Sequence, residues 1–321
     1  MRLATRDNGT PDGELILVAA DGTRCVPAGS EASNLLSALE QWKAVRPALD
    51  AVATRLAEGE GEPLDHATLR APLPRTWQWL DGSAFPTHGE LMQQAFNLPP
   101  IETDKPLMYQ GMSHQFLGPG EDAPFPSAAD GIDFEGEFGV VTGAVPMGCP
   151  AENALAHVLL VVLINDWSLR TIAPFEMKTG FGWVQAKPAC SLAPFAVTPD
   201  ELGDAWRDGR VCLPLTVTVN GTWFGNPDGS AMAYGFHELI AHAARTRSLP
   251  AGTIIGSGTV SNADHARVGS TCISERRAIE KIAHGAFRTG FLQEGDQVAM
   301  QVGEDGAYFG RIEQRVRLTA G

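Results

Sequence analysis

Basic residues are scarce in this chain. Its 321 residues include 24 Lys and Arg against 38 Asp and Glu, a net charge of −14 at pH 7. Affinity for nucleic-acid phosphates needs a basic face, so no nucleic-acid partner is expected, though a local basic pocket stays open. Cysteine is sparse too. The five present (Cys25, Cys149, Cys190, Cys212 and Cys272) are widely spaced and form no C-x-x-C, which argues against a disulfide framework or a thiolate zinc site. Long apolar runs are missing: the longest, residues 158–164, falls far short of the roughly 20 residues of a membrane-spanning helix. The opening residues Met1 to Asn8 carry no apolar stretch of the secretory type. A soluble, reduced, cytoplasmic protein with no membrane partner is expected.

What is present suits a folded enzyme-sized chain. With 44% hydrophobic and 19% charged residues it can bury a large core, and its length allows a large domain with a small companion. An apolar run from Leu15 to Ala20, then Asp21-Gly22, then Thr23 to Val26 predicts a hairpin. Apolar residues three and four apart across 32–58 predict a helix broken at Pro47. Glu58 to Pro63 reads as a solvated loop, and the prolines at 72, 74, 99 and 100 mark a transition. The expected division is a small N-terminal α+β domain, residues 1–100, and a strand-rich domain, residues 101–321. In the second part, Val158 to Ile164 reads as a strand buried on both faces, after a short helix near Pro150 and Glu152. Val211 to Val219 with Asn220-Gly221 predicts a hairpin, as do Asp296 to Val302 and Tyr308 to Val316 around Gly303 to Gly306. Gly235 to Arg247 reads as a helix.

The segment Asp133-Phe-Glu-Gly-Glu-Phe-Gly-Val-Val141 carries the first chemical signal. On a strand, Asp133, Glu135 and Glu137 share one face. Such neighbours repel, so the face is either solvated or holds a cation. Asp166 ends the apolar run that precedes Trp167-Ser-Leu-Arg170. A buried carboxylate needs a partner: either Arg170 in a salt bridge, or a hard divalent cation shared with the glutamates through oxygen ligands.

These segments, with Lys187 and Gly256-Ser-Gly-Thr259, resemble in order and spacing the fumarylacetoacetate hydrolase family. Gly295-Asp-Gln-Val and Gly310-Arg-Ile resemble its closing hairpin. The likeness runs from about residue 105 to 316, and the first hundred residues look like the short N-terminal domain of bacterial members. The resemblance implies a strand-rich α+β fold, with a mixed β-roll catalytic domain behind the smaller N-terminal one, and a homodimer. It implies a divalent cation (Mg²⁺ first, Ca²⁺ or Mn²⁺ as alternatives) held by Glu135, Glu137 and Asp166. Tyr109 matches a substrate-side tyrosine, with Leu107 where some members place a further aspartate ligand. His114 matches the spacing of the water-activating histidine. Ile273 stands where its glutamate partner belongs, so Glu275, on the same face if the segment is a strand, is the expected partner. Arg170 and Lys187 match oxyanion-binding cations, Ala173 stands for a glutamine, and Thr259 matches a substrate-carboxylate contact.

Other signals are weaker. His237 and His242 lie five apart, about 140° around a helix, which is a poor zinc pair. Gly256 to Ser261 lacks the third glycine of a dinucleotide fingerprint, and Walker A and Gly-x-Ser-x-Gly motifs are missing. The resemblance therefore implies a metal-dependent hydrolase that cleaves the C–C bond of a small β-diketo acid, either fumarylacetoacetate or an acylpyruvate. A decarboxylase, hydratase or isomerase acting through an enolate is the alternative, followed by a non-catalytic binding module.

Overall fold

The computed structural model describes residues 1–99 and 103–319, so the boundary expected between residues 100 and 101 lies outside the described residues. Two mixed sheets form the framework. The larger, of eleven strands, runs in order through Glu62–Pro63, Arg24–Pro27, Glu14–Val18, Arg2–Arg6, Ala196–Val197, Val158–Asn165, Gly136–Thr142, Ile254–Gly256, Trp79–Gly82 and Met108–Gly111, with Ser191–Leu192 also on Val158–Asn165. Pairing is antiparallel except between Ile254–Gly256 and Trp79–Gly82, which run parallel. The smaller sheet has five strands, Thr222–Gly225, Leu215–Val219, Gln297–Val302, Arg311–Leu318 and Ala123–Phe125.

The Val158–Asn165 strand explains why its sequence is continuously apolar. Val161 and Leu163 join a core with residues of the smaller sheet such as Val217 and Met300. Leu160, Val162 and Ile164 point the other way, into a core with Leu39, Leu49 and Leu56 of the N-terminal helices. Each such buried side chain contributes about 1.5–3 kcal/mol, so the strand is held from both sides. The N-terminal strands extend the same large sheet through Arg2–Arg6 and Ala196–Val197.

The hairpins form near the expected places: Glu14–Val18 pairs Arg24–Pro27, and Leu215–Val219 pairs Thr222–Gly225. The second turns through Asn220 at φ 50° and Gly221 at φ 75°, the left-handed pair that an Asn-Gly turn requires. The helical stretch breaks elsewhere than expected. Helices span Leu35–Glu40 and Trp42–Ala57, so the break is at Gln41 and Pro47 lies inside the second helix. Pro47 is exposed, so the carbonyl one turn earlier, which proline cannot serve, can turn to water.

Candidate active site

The acidic segment is not one strand. Ile132–Asp133 pairs with Ser168–Leu169 in a separate ribbon, and Gly136–Thr142 begins the large-sheet strand. Between them, Glu135 donates its N–H to Asn165 Oδ1 at 3.1 Å and accepts from the Asp166 N–H through its carbonyl at 2.9 Å. The break separates the acids. Asp133 turns away to cap a helix. Its carboxylate accepts from the backbone N–H groups of Ile273 and Ser274, at 2.7 and 2.9 Å, at the start of the Ile273–His284 helix. A carboxylate there satisfies free amides and complements the helix dipole.

A cluster of carboxylates forms at one end of the large sheet from Asp81, Glu137 and Asp166, whose oxygens lie within 4.8 Å of one another. Asp81 was missed from sequence. It lies in Trp79–Gly82, opposite Tyr109 of Met108–Gly111, and shares a face with Trp79, as Glu137 does with Val141. The strand between the two, Ile254–Gly256, ends in a glycine. A Cβ at Gly256 would lie 2.3 Å from Asp81 Oδ1, so its absence gives the carboxylate room. The signal available in sequence was the one used for Asp166, a lone acid in an otherwise apolar strand segment.

Glu135, expected beside Glu137 as a ligand, is bound by cations. Arg170 donates to Glu135 Oε1 and to Asp133 Oδ2, the latter at 2.8 Å. The Lys187 ammonium bridges Glu135 Oε2 and Asp166 Oδ2. Arg170 is therefore tied up in ion pairs, with Asp133 and Glu135 rather than with the Asp166 that its spacing suggested. Lys187 is 7% exposed, carried inward because the Leu169 N–H bonds the Ala186 carbonyl at 2.8 Å. Tyr109 O–H donates to Asp166 Oδ2 at 2.7 Å, and the Cys190 thiol donates to Oδ1 at 2.9 Å. Thr259 is buried just past Ile254–Gly256.

The electrostatics follow from this crowding. Burial, then Asp166, push the Asp81 carboxyl up to about 8. Burial and the neighbouring Asp81 and Asp166 carboxylates raise Glu137 well above the usual range. Burial raises Asp166 as well, moderated by Lys187. Burial would raise Glu135 too, but Arg170, Lys187 and His88 together hold it below the ordinary glutamate value. Burial would lower Lys187, yet Asp166 and Glu135 outweigh it and raise it. Burial and Asp166 raise the Cys190 thiol, so it serves as an S–H donor rather than a thiolate ligand.

Both Glu137 oxygens are buried with no donor beside them except the proton that Asp81 retains, and a protein ammonium already sits between Glu135 and Asp166. The donor set is hard oxygen throughout. These residues fit a divalent cation of the Mg²⁺, Mn²⁺ or Ca²⁺ type.

The histidine of the site is also one that sequence did not show. His88, on the Pro86–Phe96 helix, bonds Glu275 Oε2 through Nδ1 at 3.0 Å, close enough to Glu135 to lower its pKa. Glu275 is fully buried and its other oxygen has no partner. It lies in the first turn of the Ile273–His284 helix, not on a strand. His114 does not meet Glu275. After Met108–Gly111 the chain follows residues 74–76, with the Thr76 N–H on the Ser113 carbonyl and the Phe116 N–H on the Pro74 carbonyl. That course leaves His114 exposed in a surface hollow with Arg70, Arg75 and Glu121.

Comparison with known proteins agrees with this architecture. Residues 78–317 match the fumarylacetoacetate (FAA) hydrolase C-terminal model, and residues 1–75 match fumarylacetoacetase N-terminal domain 2. The chain belongs to the fumarylacetoacetate hydrolase family. It is 31% identical over 164 residues to 2,4-didehydro-3-deoxy-L-rhamnonate hydrolase of Sphingomonas sp. (strain SKA58), covering 50% of this chain and 54% of that one. It is 27% identical over 159 residues to a mitochondrial oxaloacetate tautomerase of Xenopus laevis, covering 48% and 47%. The chain thus spans about half the length of the curated relatives it matches. The fold is shared with maleylpyruvate hydrolase from Sphingobium sp. SYK-6, solved in complex with manganese (II) ion and pyruvate. There the TM-score is 0.67 and the identity 17%, with all of both chains covered. Among the described residues no helix is long and apolar enough to cross a membrane.

Proposed function

We propose that this chain is a divalent-metal-dependent hydrolase, with Mg²⁺ the expected ion, that cleaves the C–C bond of a small β-diketo acid of the fumarylacetoacetate or acylpyruvate type. The observation that carries this reading is the His88–Glu275 pair beside the carboxylate cluster. Hydrolysis needs a base for water, tautomerisation needs one only for the carbon-bound or enolic proton, and decarboxylation to an enolate needs none. Asp81, Glu137 and Asp166 would hold the cation, with Glu135 able to join when Lys187 turns to substrate. When bound, the cation supplies Lewis-acid polarisation of the keto-acid oxygens.

The chain's own groups do the rest. Glu275 fixes the His88 ring through Nδ1, which leaves Nε2 to take a proton from water. The hydroxyl adds to the distal carbonyl, and the charge that grows on its oxygen is met by the Lys187 ammonium and Tyr109 O–H. The C–C bond then breaks, the carbonyl fragment leaves as a carboxylic acid, and the other carbon recovers the proton held by His88. Thr259 is assigned the substrate carboxylate. Arg170 acts as a positioning residue for Glu135 rather than at the oxyanion.

The relative named as an oxaloacetate tautomerase supports the second reading, enolate chemistry by the same site with no base acting on water. One comparison separates the two. His88→Ala is expected to reduce acylpyruvate hydrolysis by roughly 10²–10⁴-fold, measured by loss of diketo-acid absorbance, while His114→Ala keeps wild-type turnover. Unchanged hydrolysis in His88→Ala would overturn His88 as the base, and a wild-type chain that hydrolyses no acylpyruvate but tautomerises or decarboxylates oxaloacetate would overturn the hydrolase reading in favour of the second.

A further inference from the structure

The segment after the Ala173–Thr179 helix brings Trp183 against the site. Its indole meets the Tyr109 ring edge-on, 4.9 Å between centroids. The Lys187 ammonium lies 5.5 Å from the Trp183 ring and 5.4 Å from that of Tyr109. Two aromatic rings thus flank the cation that faces Asp166 and Glu135. The Trp183 indole N–H is sealed from solvent and has no partner in the protein, an arrangement that costs stability unless something else fills it.

The segment is anchored from behind. The Glu176 carboxylate accepts the backbone N–H groups of Val184, Gln185 and Ala186 at 3.0–3.2 Å. On the solvent side it is unsupported: Phe181 is 96% exposed and Val184 82%. Gly180 and Gly182 sit at positive φ, with nothing within 4 Å of where a Cβ would stand.

We propose that Trp183 is a substrate-binding residue whose indole N–H takes an oxygen of the keto acid, beside the oxygens met by Lys187 and Tyr109. Glu176 is its positioning residue. This rests on the keto-acid reading above and adds a donor to it.

Titration calorimetry of the full chain with oxalate, an unreactive planar diacid, in saturating Mg²⁺ tests it. Trp183→Phe keeps a ring against Tyr109 and Lys187 and removes only the donor. It is expected to weaken oxalate binding by about 10–100-fold, the value of a hydrogen bond to a charged group, and to raise KM by a like factor with little change in kcat. Trp183→His, which restores an N–H, should recover part of the loss. Should Trp183→Phe fail to fold, Trp183→Met, also without a donor, carries the test with the same outcomes. Wild-type oxalate affinity in a folded donorless variant would overturn the proposal and leave the keto-acid reading intact. No oxalate binding by the wild-type chain would overturn both.

Discussion

Asp81 shows how strongly one side chain here depends on its neighbours. Its carboxyl moves from an ordinary 3.8 to about 8 because burial and Asp166 disfavour the charge. A folded-state value above the unfolded one means that the folded chain keeps a proton that the unfolded chain has released. Between pH 3.8 and about 8, the Asp81 contribution to metal-free stability therefore falls as pH rises. Melts in EDTA across this range should show that decline, and Asp81→Asn should flatten it. An Asp81→Asn profile with the same slope as the wild type over the window would show that Asp81 ionises freely. At the same scale, His88 and His114 differ by partner rather than by residue type. Only His88 has a buried carboxylate to fix its ring, which is why the turnover of the two alanine variants is expected to diverge.

Among the elements, the Ile254–Gly256 strand has the largest influence on the site. It pairs with both Gly136–Thr142 and Trp79–Gly82, and so sets the spacing of Glu137 and Asp81. Its last residue must be small. In Gly256→Ala the new methyl would press on Asp81 Oδ1 and the Trp79 ring, at 2.3 and 2.5 Å from its position. Since both neighbours are packed in the core, the variant is expected to lose about 1–3 kcal/mol of stability and to lose the Mg²⁺-induced rise in melting temperature. Scanning calorimetry with and without Mg²⁺ reads both quantities. A variant that keeps the full Mg²⁺ response would remove Asp81 from the ligand set.

For the molecule as a whole, the proposed metal site would link metal binding to folding by mass action. A cation that binds only the folded chain contributes about 2.7 kcal/mol at one hundred times its Kd, here on the order of 5 °C in Tm. The gain should exceed what salt alone provides, because a cation held by Asp81, Glu137 and Asp166 together replaces the protons that the cluster otherwise keeps. Melts in EDTA, then in excess Mg²⁺, with Na⁺ at matched ionic strength as control, check this. Equal melting temperatures in all three would leave the cluster as a proton-sharing group and not a metal site.

Local pattern was enough for the hairpins, for the doubly buried Val158–Asn165 strand and for the family. These depend on periodicity, turn chemistry and motifs that stay within a few residues of one another. It also drew attention to Glu137 and Asp166 as acids set in apolar runs, and the family resemblance drew attention to Tyr109, Lys187 and Glu275. Partnership was not legible. Asp81 reaches Glu137 across a parallel strand drawn from residues 254–256, and His88 reaches Glu275 over a separation of 187 residues. Spacing along the chain pointed instead to Leu107 and His114. Which carboxylates converge, which cation neutralises Glu135 and which histidine meets the buried glutamate are set by strand order and helix packing. Those bring together segments with no local relation to one another, so only the tertiary structure decided them.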